Sequence, residues 1–370
     1  MSSWWLGLVM AQELPVVAEL RQAEASTAPA PVPLRVVLAP GVGLGASPDA
    51  AVHGASVGVW AHAASLSGVD AQLAGSVVDG PVDGVQTALG LVIADDVDGV
   101  QGALGMAWAR GDVRMAQLSV GLNVAEGAVR GLQATSGLNV AGGGFDGVQA
   151  TAGVNVAGAV SSGVQAAAGL NVAEALEGLQ AAPVNVAEAV DGAQLGLLNV
   201  GGDVRGLQVG LVNVARTSGV SIAPINLIGD GLHRVDVWAS DSAVASVGLK
   251  LGSKQVYTLL GAGWVGVEQP WWTFGGGFGV HVGRERVWLE VDDSVWGVAD
   301  GVRVAPGLHN KLRASVGFAL HEHLQPFVGA SMNHWVGTGQ VWPTSEALPA
   351  RWSPDRRVTA WPGLHAGVSF

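Results

Sequence analysis

Gly131-Leu132-Gln133-Ala134-Thr135-Ser136-Gly137-Leu138-Asn139-Val140-Ala141 is the stretch whose reading decides the fold. Leu132, Ala134, Ser136, Leu138 and Val140 alternate with Gln133, Thr135, Gly137, Asn139 and Ala141. Side chains at every second position share one face of a strand, whereas a helix would scatter both sets around its circumference. The stretch recurs. Its Gln falls at Gln86, Gln101, Gln117, Gln133, Gln149, Gln165, Gln180, Gln194 and Gln208, in steps of 14 to 16 residues. Its Asn falls at Asn123, Asn139, Asn155, Asn171, Asn185, Asn199 and Asn213. A near-constant period over that many copies predicts a repetitive β architecture.

Composition narrows the class. Charged residues are 13% of the chain, about half the usual share of a soluble domain, while 56 of 370 residues are Gly. A net charge of −12 and the lack of a basic cluster argue against nucleic acid as a partner. There is no Cys, which removes disulfides, thiolate metal sites and thiol nucleophiles. Residues 1–11 read as a candidate signal peptide without its usual cationic start, and residues 12–32 as a linker. The repeat region then occupies 33–230 and a set of non-repeating strands 231–370.

Charges in the repeat region sit between the strands, as in Arg110-Gly111-Asp112 and Glu188-Ala189-Val190-Asp191. Residues 147–173 carry none, yet their Gly and Val content and the spaced Gln and Asn speak against a membrane helix. Uncharged strands of about ten residues have the length of transmembrane β-strands. Strand-like alternation continues beyond the repeats, in Phe274 to Gly283 and in Leu312 to His321. Trp264, Trp271, Trp272 and Trp335 lie near strand ends, as in an interfacial girdle. In the last strand Val368, Ala366, Leu364, Pro362 and Ala360 precede Phe370 at alternate places, like the signal that barrels offer to their insertion machinery.

The Gly-x-Gln and Asn-x-Ala repeats, the segment Ser218 to Leu227, Gly231-Leu232-His233 and the terminal Phe together resemble the surface repeat-containing proteins of Gram-negative bacteria. That resemblance covers about residues 33–370 and implies an outer-membrane location, with no catalytic residues to carry over.

Two all-β architectures fit. The leading expectation is an antiparallel transmembrane β-barrel of roughly 20 strands, each repeat one strand, with the apolar face toward lipid. Gln86, Gln101, Gln117, Gln133, Gln149, Gln165, Asn123, Asn139, Asn155 and Asn171 then line the lumen, and Phe370 carries the assembly signal. Its partners are outer-membrane lipid and the barrel-assembly machinery, and its role is structural or pore-like. The alternative is a β-solenoid of the repeats followed by a smaller C-terminal barrel. There Gln and Asn stack as ladders, or present a face to a polymer or partner protein. One shared motif, short turns and an extra apolar residue before each strand (Val97, Val113, Val129, Phe145, Leu176, Val204) favour it.

Chemistry is thin. His321-Glu322-His323 reads as a solvated turn rather than a metal site, and Glu290, Asp292 and Asp293 as an acidic turn near a strand end rather than a Ca²⁺ site. Gly275 to Gly279 lacks the helix and acidic partner of a nucleotide loop, and no nucleophile elbow occurs. The expectation is a non-enzymatic protein without cofactor or metal.

Overall fold

The computed structural model describes residues 31–265, 271–284, 286–299, 307–321, 324–337, 352–355 and 358–370. The candidate signal peptide and the linker up to residue 30 lie outside them. The described elements are β-strands, and the chain divides into two compact units, Met1–Asp146 and Gly147–Phe370.

The first unit opens with an antiparallel pair, Val32–Ala39 and Val42–Leu44. Val32–Ala39 also runs parallel to Ala51–Ala63, which starts a parallel solenoid. Its regular coils consist of a seven-residue strand, a bend and a four-residue strand. Val113–Ser119 and Leu122–Ala125 form one such coil, and Val129–Thr135 and Leu138–Ala141 the next. Register is residue for residue, with Gln101 on Gln117, Gln117 on Gln133 and Asn123 on Asn139.

This corrects the expectation of a barrel of roughly 20 antiparallel strands. Identical motifs pair like on like only when stacked in parallel, and their short turns carry the chain up to the next coil. The extra apolar residues supply the third inward position: Val97, Val113, Val129, Phe145, Leu176 and Val204 are all buried. The face assignment is corrected as well. The Gln/Asn face points inward, while Leu132 and Leu118 stay more than a third exposed and Leu104 more than half.

One backbone slot explains the Gly two places before each Gln. Gly84, Gly99 and Gly131 have φ of 132°, 145° and 126°, and a Cβ on Gly131 would lie 2.2 Å from the Met115 carbonyl oxygen. Met115 fills the same slot with φ 90°, the single non-Gly residue at positive φ among the described residues.

The second unit contains further parallel coils, Val154–Ala167, Leu170–Ala181, Val184–Leu195, Leu198–Val209 and Val212–Ile222, ending on Ile225–Ile228. Here the strands of a coil run together, and two-residue turns at 168–169, 182–183, 196–197 and 210–211 lead from one to the next. Eight antiparallel strands follow: Leu232–Ser240, Ala243–Gly252, Val256–Trp264, Trp272–Arg284, Val287–Ala299, Gly307–Phe318, Gln325–Gly337 and Val358–Ser369. Each pairs with the next, and the last pairs with the first through Asp236–Ser369 to Ser240–His365, so the sheet closes into a barrel. The last coil seats on the outside of the barrel wall, where Asn226 Nδ2 donates to Thr258 Oγ1 at 3.0 Å and the Thr258 hydroxyl donates to the Ala223 carbonyl.

Candidate functional site

The amides that recur along the sequence form two hydrogen-bonded ladders. In the first unit Gln101 Nε2 donates to Gln86 Oε1 (3.1 Å), Gln117 to Gln101 (2.9 Å) and Gln133 to Gln117 (2.8 Å). Asn123 Nδ2 donates to Asn139 Oδ1 at 2.9 Å. In the second unit Gln165 donates to Gln149 (2.8 Å), and Asn155 to Asn171 (2.9 Å), and both ladders run on to Gln208 and Asn213. From Gln86 to Gln194 each Gln also crosses the coil to a backbone carbonyl six or seven residues on, as Gln117 does to Val124 at 2.8 Å. All ten predicted residues are fully buried. They are ladders inside the coils; no face of them is open to a lumen or ligand.

The barrel gathers side chains that the sequence did not bring together. Inward positions carry charge: Arg234 and Asp236 on the first strand, Lys250 on the second, Glu290 and Asp292 on the fifth, Lys311 and Arg313 on the sixth, all buried. Glu290 accepts from Arg234 and from Lys250, and lies 2.9 Å from His281 Nδ1. Lys250 Nζ also reaches Asp236 Oδ2 at 2.6 Å. Arg313 grips Asp292 with two hydrogen bonds of 2.8 and 3.0 Å, and Tyr257 donates to the same carboxylate at 3.0 Å. Trp238, Tyr257, Leu259, Trp288, Trp296 and Phe327 fill the space around these ions. Arg313 stacks 4.6 Å from the Trp238 ring centroid and Arg234 4.8 Å from that of Trp288. Eight strands leave an interior just wide enough for side chains to fill. A mouth of about 220 Å³ at the end bearing Leu232 is floored by Arg234 and Trp288, beyond which lies the buried ion cluster.

Outward positions are the reverse. Val235, Val237, Leu249, Leu260, Phe274, Phe278, Val280, Val291, Leu312, Val328, Met332 and Leu364 are each at least 40% exposed, a wall of aliphatic and aromatic groups. On the fourth strand the row from Trp272 to Val282 spans ten residue steps, about 33 Å along the strand at ~3.3 Å each, or about 25 Å of height at a tilt near 40°. The wall is interrupted at Asp293, whose carboxylate accepts from Asn310 at 2.7 Å.

Phe370 lies on the outer wall, and its backbone exchanges hydrogen bonds with Val235 (2.9 and 3.2 Å) at the barrel seam. Trp264 and Trp272 form a cross-strand pair at the barrel end, but Trp335 packs inside with Val265, Val298 and Trp361, and Trp271 packs against that group. Strand parity thus sends Trp335 inward, contrary to the expectation that all four Trp share an outer row. Glu290 and Asp292 lie mid-strand and are held by cations, and Asp293 faces the opposite side, so the three do not converge as a Ca²⁺ site. Glu322 and His323 lie outside the described residues, and no group of three potential metal ligands occurs among the described ones.

Comparison of the chain with protein-family models, curated proteins and solved structures finds no match.

Proposed function

We propose that the C-terminal barrel is a membrane anchor for the solenoid, in the outer membrane of a Gram-negative envelope, with a non-enzymatic structural role. One observation carries this reading: the barrel is inverted, with its ions inside and its apolar side chains outside. In water that arrangement exposes the apolar wall and buries charge, each at a cost. In a bilayer the same wall is solvated by lipid, and closure satisfies every ladder hydrogen bond. The packed lumen favours an anchor over a pore.

The connections give the anchor a direction. At one end the strands are joined through residues 253–255, 285–286 and 319–324; at the other, through 241–242, 265–271, 300–306 and 338–357. Outer-membrane barrels keep their short turns in the periplasm and their long loops outside. On that rule the solenoid, which enters at the short-turn end, lies on the periplasmic side of the barrel, and Phe370 lies at the same end.

The test is expression of the full chain in a Gram-negative host. The expected result is recovery in the outer-membrane fraction, extraction by detergent only, and a heat-modifiable band on gels. Val291→Arg, on the lipid-facing wall, should abolish that band, since Arg at mid-bilayer costs about 2–4 kcal/mol. A chain released as soluble protein without detergent refutes the anchor.

A further inference from the structure

The coils of the second unit show the same inversion as the barrel, and it is polarised across the coil. Two rows on one broad face read Val184, Leu198, Val212 and Val186, Val200, Val214, paired residue on residue. The opposite face stacks Leu179 on Ala193 on Leu207, and Ala181 on Leu195 on Val209. These outward side chains carry no polar atom. A sheet face turned to water normally carries polar groups at such positions.

The two edges differ. One edge holds all the charge of these coils, with Glu174, Glu177, Glu188, Asp191, Arg205 and Arg216 exposed. The other is a row of uncharged turns in which Leu197 is 58% and Leu211 55% exposed. From Leu197 to Gly202, the last uncharged place before Asp203, is five residue steps, about 16 Å at ~3.3 Å each. That depth is close to half of a hydrocarbon core of about 30 Å. The wedge ends on the barrel: its last coil is seated on the outer wall at Thr258, third residue of a strand that begins at the short-turn end.

We infer that the coils of the second unit lie in one lipid leaflet, with the Leu197–Leu211 edge inserted and the acidic edge in water, in the leaflet nearest the barrel's short turns. The occupant of the apolar faces is therefore lipid acyl chain. A protein partner would meet no hydrogen-bonding group on either face, whereas lipid asks only for apolar surface of the right depth. The buried amide ladders suit that setting, because each coil satisfies its polar groups without water. This inference rests on the barrel being a membrane anchor.

The native chain has no Cys, so single-Cys nitroxide labels report without background. Labels at Leu197→Cys, Leu211→Cys, Val200→Cys, Asp191→Cys and, on the barrel wall, Val291→Cys would be measured in the full chain reconstituted in phosphatidylcholine vesicles. Accessibility to oxygen and to a water-soluble nickel chelate gives the depth of each. The expected order of depth is Leu197 and Leu211 below Val200, with Asp191 in water and Val291 in lipid. If Leu197 and Leu211 are as open to nickel as Asp191 while Val291 stays shielded, the anchor stands and the leaflet proposal falls. If Val291 is also open to nickel, both fall. Labels at Leu197 shielded from both reagents, or broadened by spin coupling between copies, would replace lipid by a second copy of the chain and overturn the proposal.

Discussion

Asn185→Leu tests whether the amide ladder or simple apolar packing holds the coils together. Asn185 Nδ2 donates to Asn199 Oδ1 (2.9 Å), to the Leu195 carbonyl (2.8 Å) and to the Ala182 carbonyl (3.1 Å), while Asn171 donates to its Oδ1 at 3.1 Å. Leu has the same branching and is no smaller than Asn, so no cavity is left. The loss is the set of abandoned partners. The Leu195 carbonyl keeps its bond from the Ala182 amide, and the Asn171 amide keeps the Gln165 carbonyl. The Asn199 Oδ1 and Ala182 carbonyl lose the bonds given above. Two buried groups at about 1–3 kcal/mol each put the loss at about 2–6 kcal/mol. Hydrogen exchange of the backbone amides between 182 and 199, in detergent-solubilised full-length protein, reads this locally. About 2 kcal/mol corresponds to roughly thirty-fold faster exchange, and the upper end to far more. The outward Leu198→Asn should leave those rates nearly unchanged in detergent. Equal rates for Asn185→Leu and the native chain would refute the argument that amide pairing, rather than burial, specifies the core.

Asp292→Asn removes the charge that Arg313 holds in a bidentate pair inside the barrel, and breaking a buried pair on one side costs about 3–5 kcal/mol; an unchanged urea midpoint of the folded barrel would contradict that account. Met115→Gly relieves the one side chain in the positive-φ slot and should raise stability by about 1–2 kcal/mol, read as a higher thermal midpoint. Asp112 accepts from the Ala128 amide (2.9 Å) and from Arg130 (2.7 Å), in that order of effect, which holds its carboxyl below the usual range. A depressed folded pKa adds stability that is complete above the unfolded value of about 4 and is lost as pH falls through the folded one. With the side chain a third exposed the effect is screened to about 1 kcal/mol or less, so Asp112→Asn should flatten the acid limb of a stability–pH curve slightly, and a steeper limb would be the contrary result.

The period of the repeat and the identity of its strands were legible because Gln and Asn recur at fixed offsets and every unit alternates with period two. The direction of pairing was not, since a 16-residue repeat leaves room for either a hairpin or a coil. The deciding residues were already visible: Val97, Val113, Val129 and Phe145 precede their strands by a constant offset, and a barrel strand has no use for them. They close the coil interior. Which face points inward was also hidden. Alternation separates Leu138 from Asn139 without saying which is core, and hydropathy suggests Leu138. The lumen of the barrel was the least legible. Arg234, Lys250, Glu290 and Arg313 are scattered over some 80 residues, and nothing in the sequence pairs them until closure brings them onto one interior.

The two interiors are both polar, yet one uses amides and the other ions, and the pairing geometry accounts for the difference. In a parallel in-register stack each side chain meets its own copy about 4.8 Å away. A buried carboxylate or ammonium repeated at that spacing would face like charge in a poorly screened interior. An amide is donor and acceptor at once, so it can be repeated indefinitely, as Gln165 to Gln208 are. Two exceptions support the rule: Arg35 and Asp70 are buried in the Gln row, but Ser56 lies between them and Gln86 follows Asp70, so neither stacks on a copy of its own charge. Like charges do stack at the wet edge, Glu177 on Asp191, where water screens them. In the antiparallel barrel no strand repeats its neighbour, so Asp292 can meet Arg313, and Glu290 can meet both Arg234 and Lys250. A repeat that duplicates one coil can therefore lengthen the solenoid without creating a new electrostatic problem, whereas the barrel, whose charges are matched one against another, cannot gain or lose a strand in the same way.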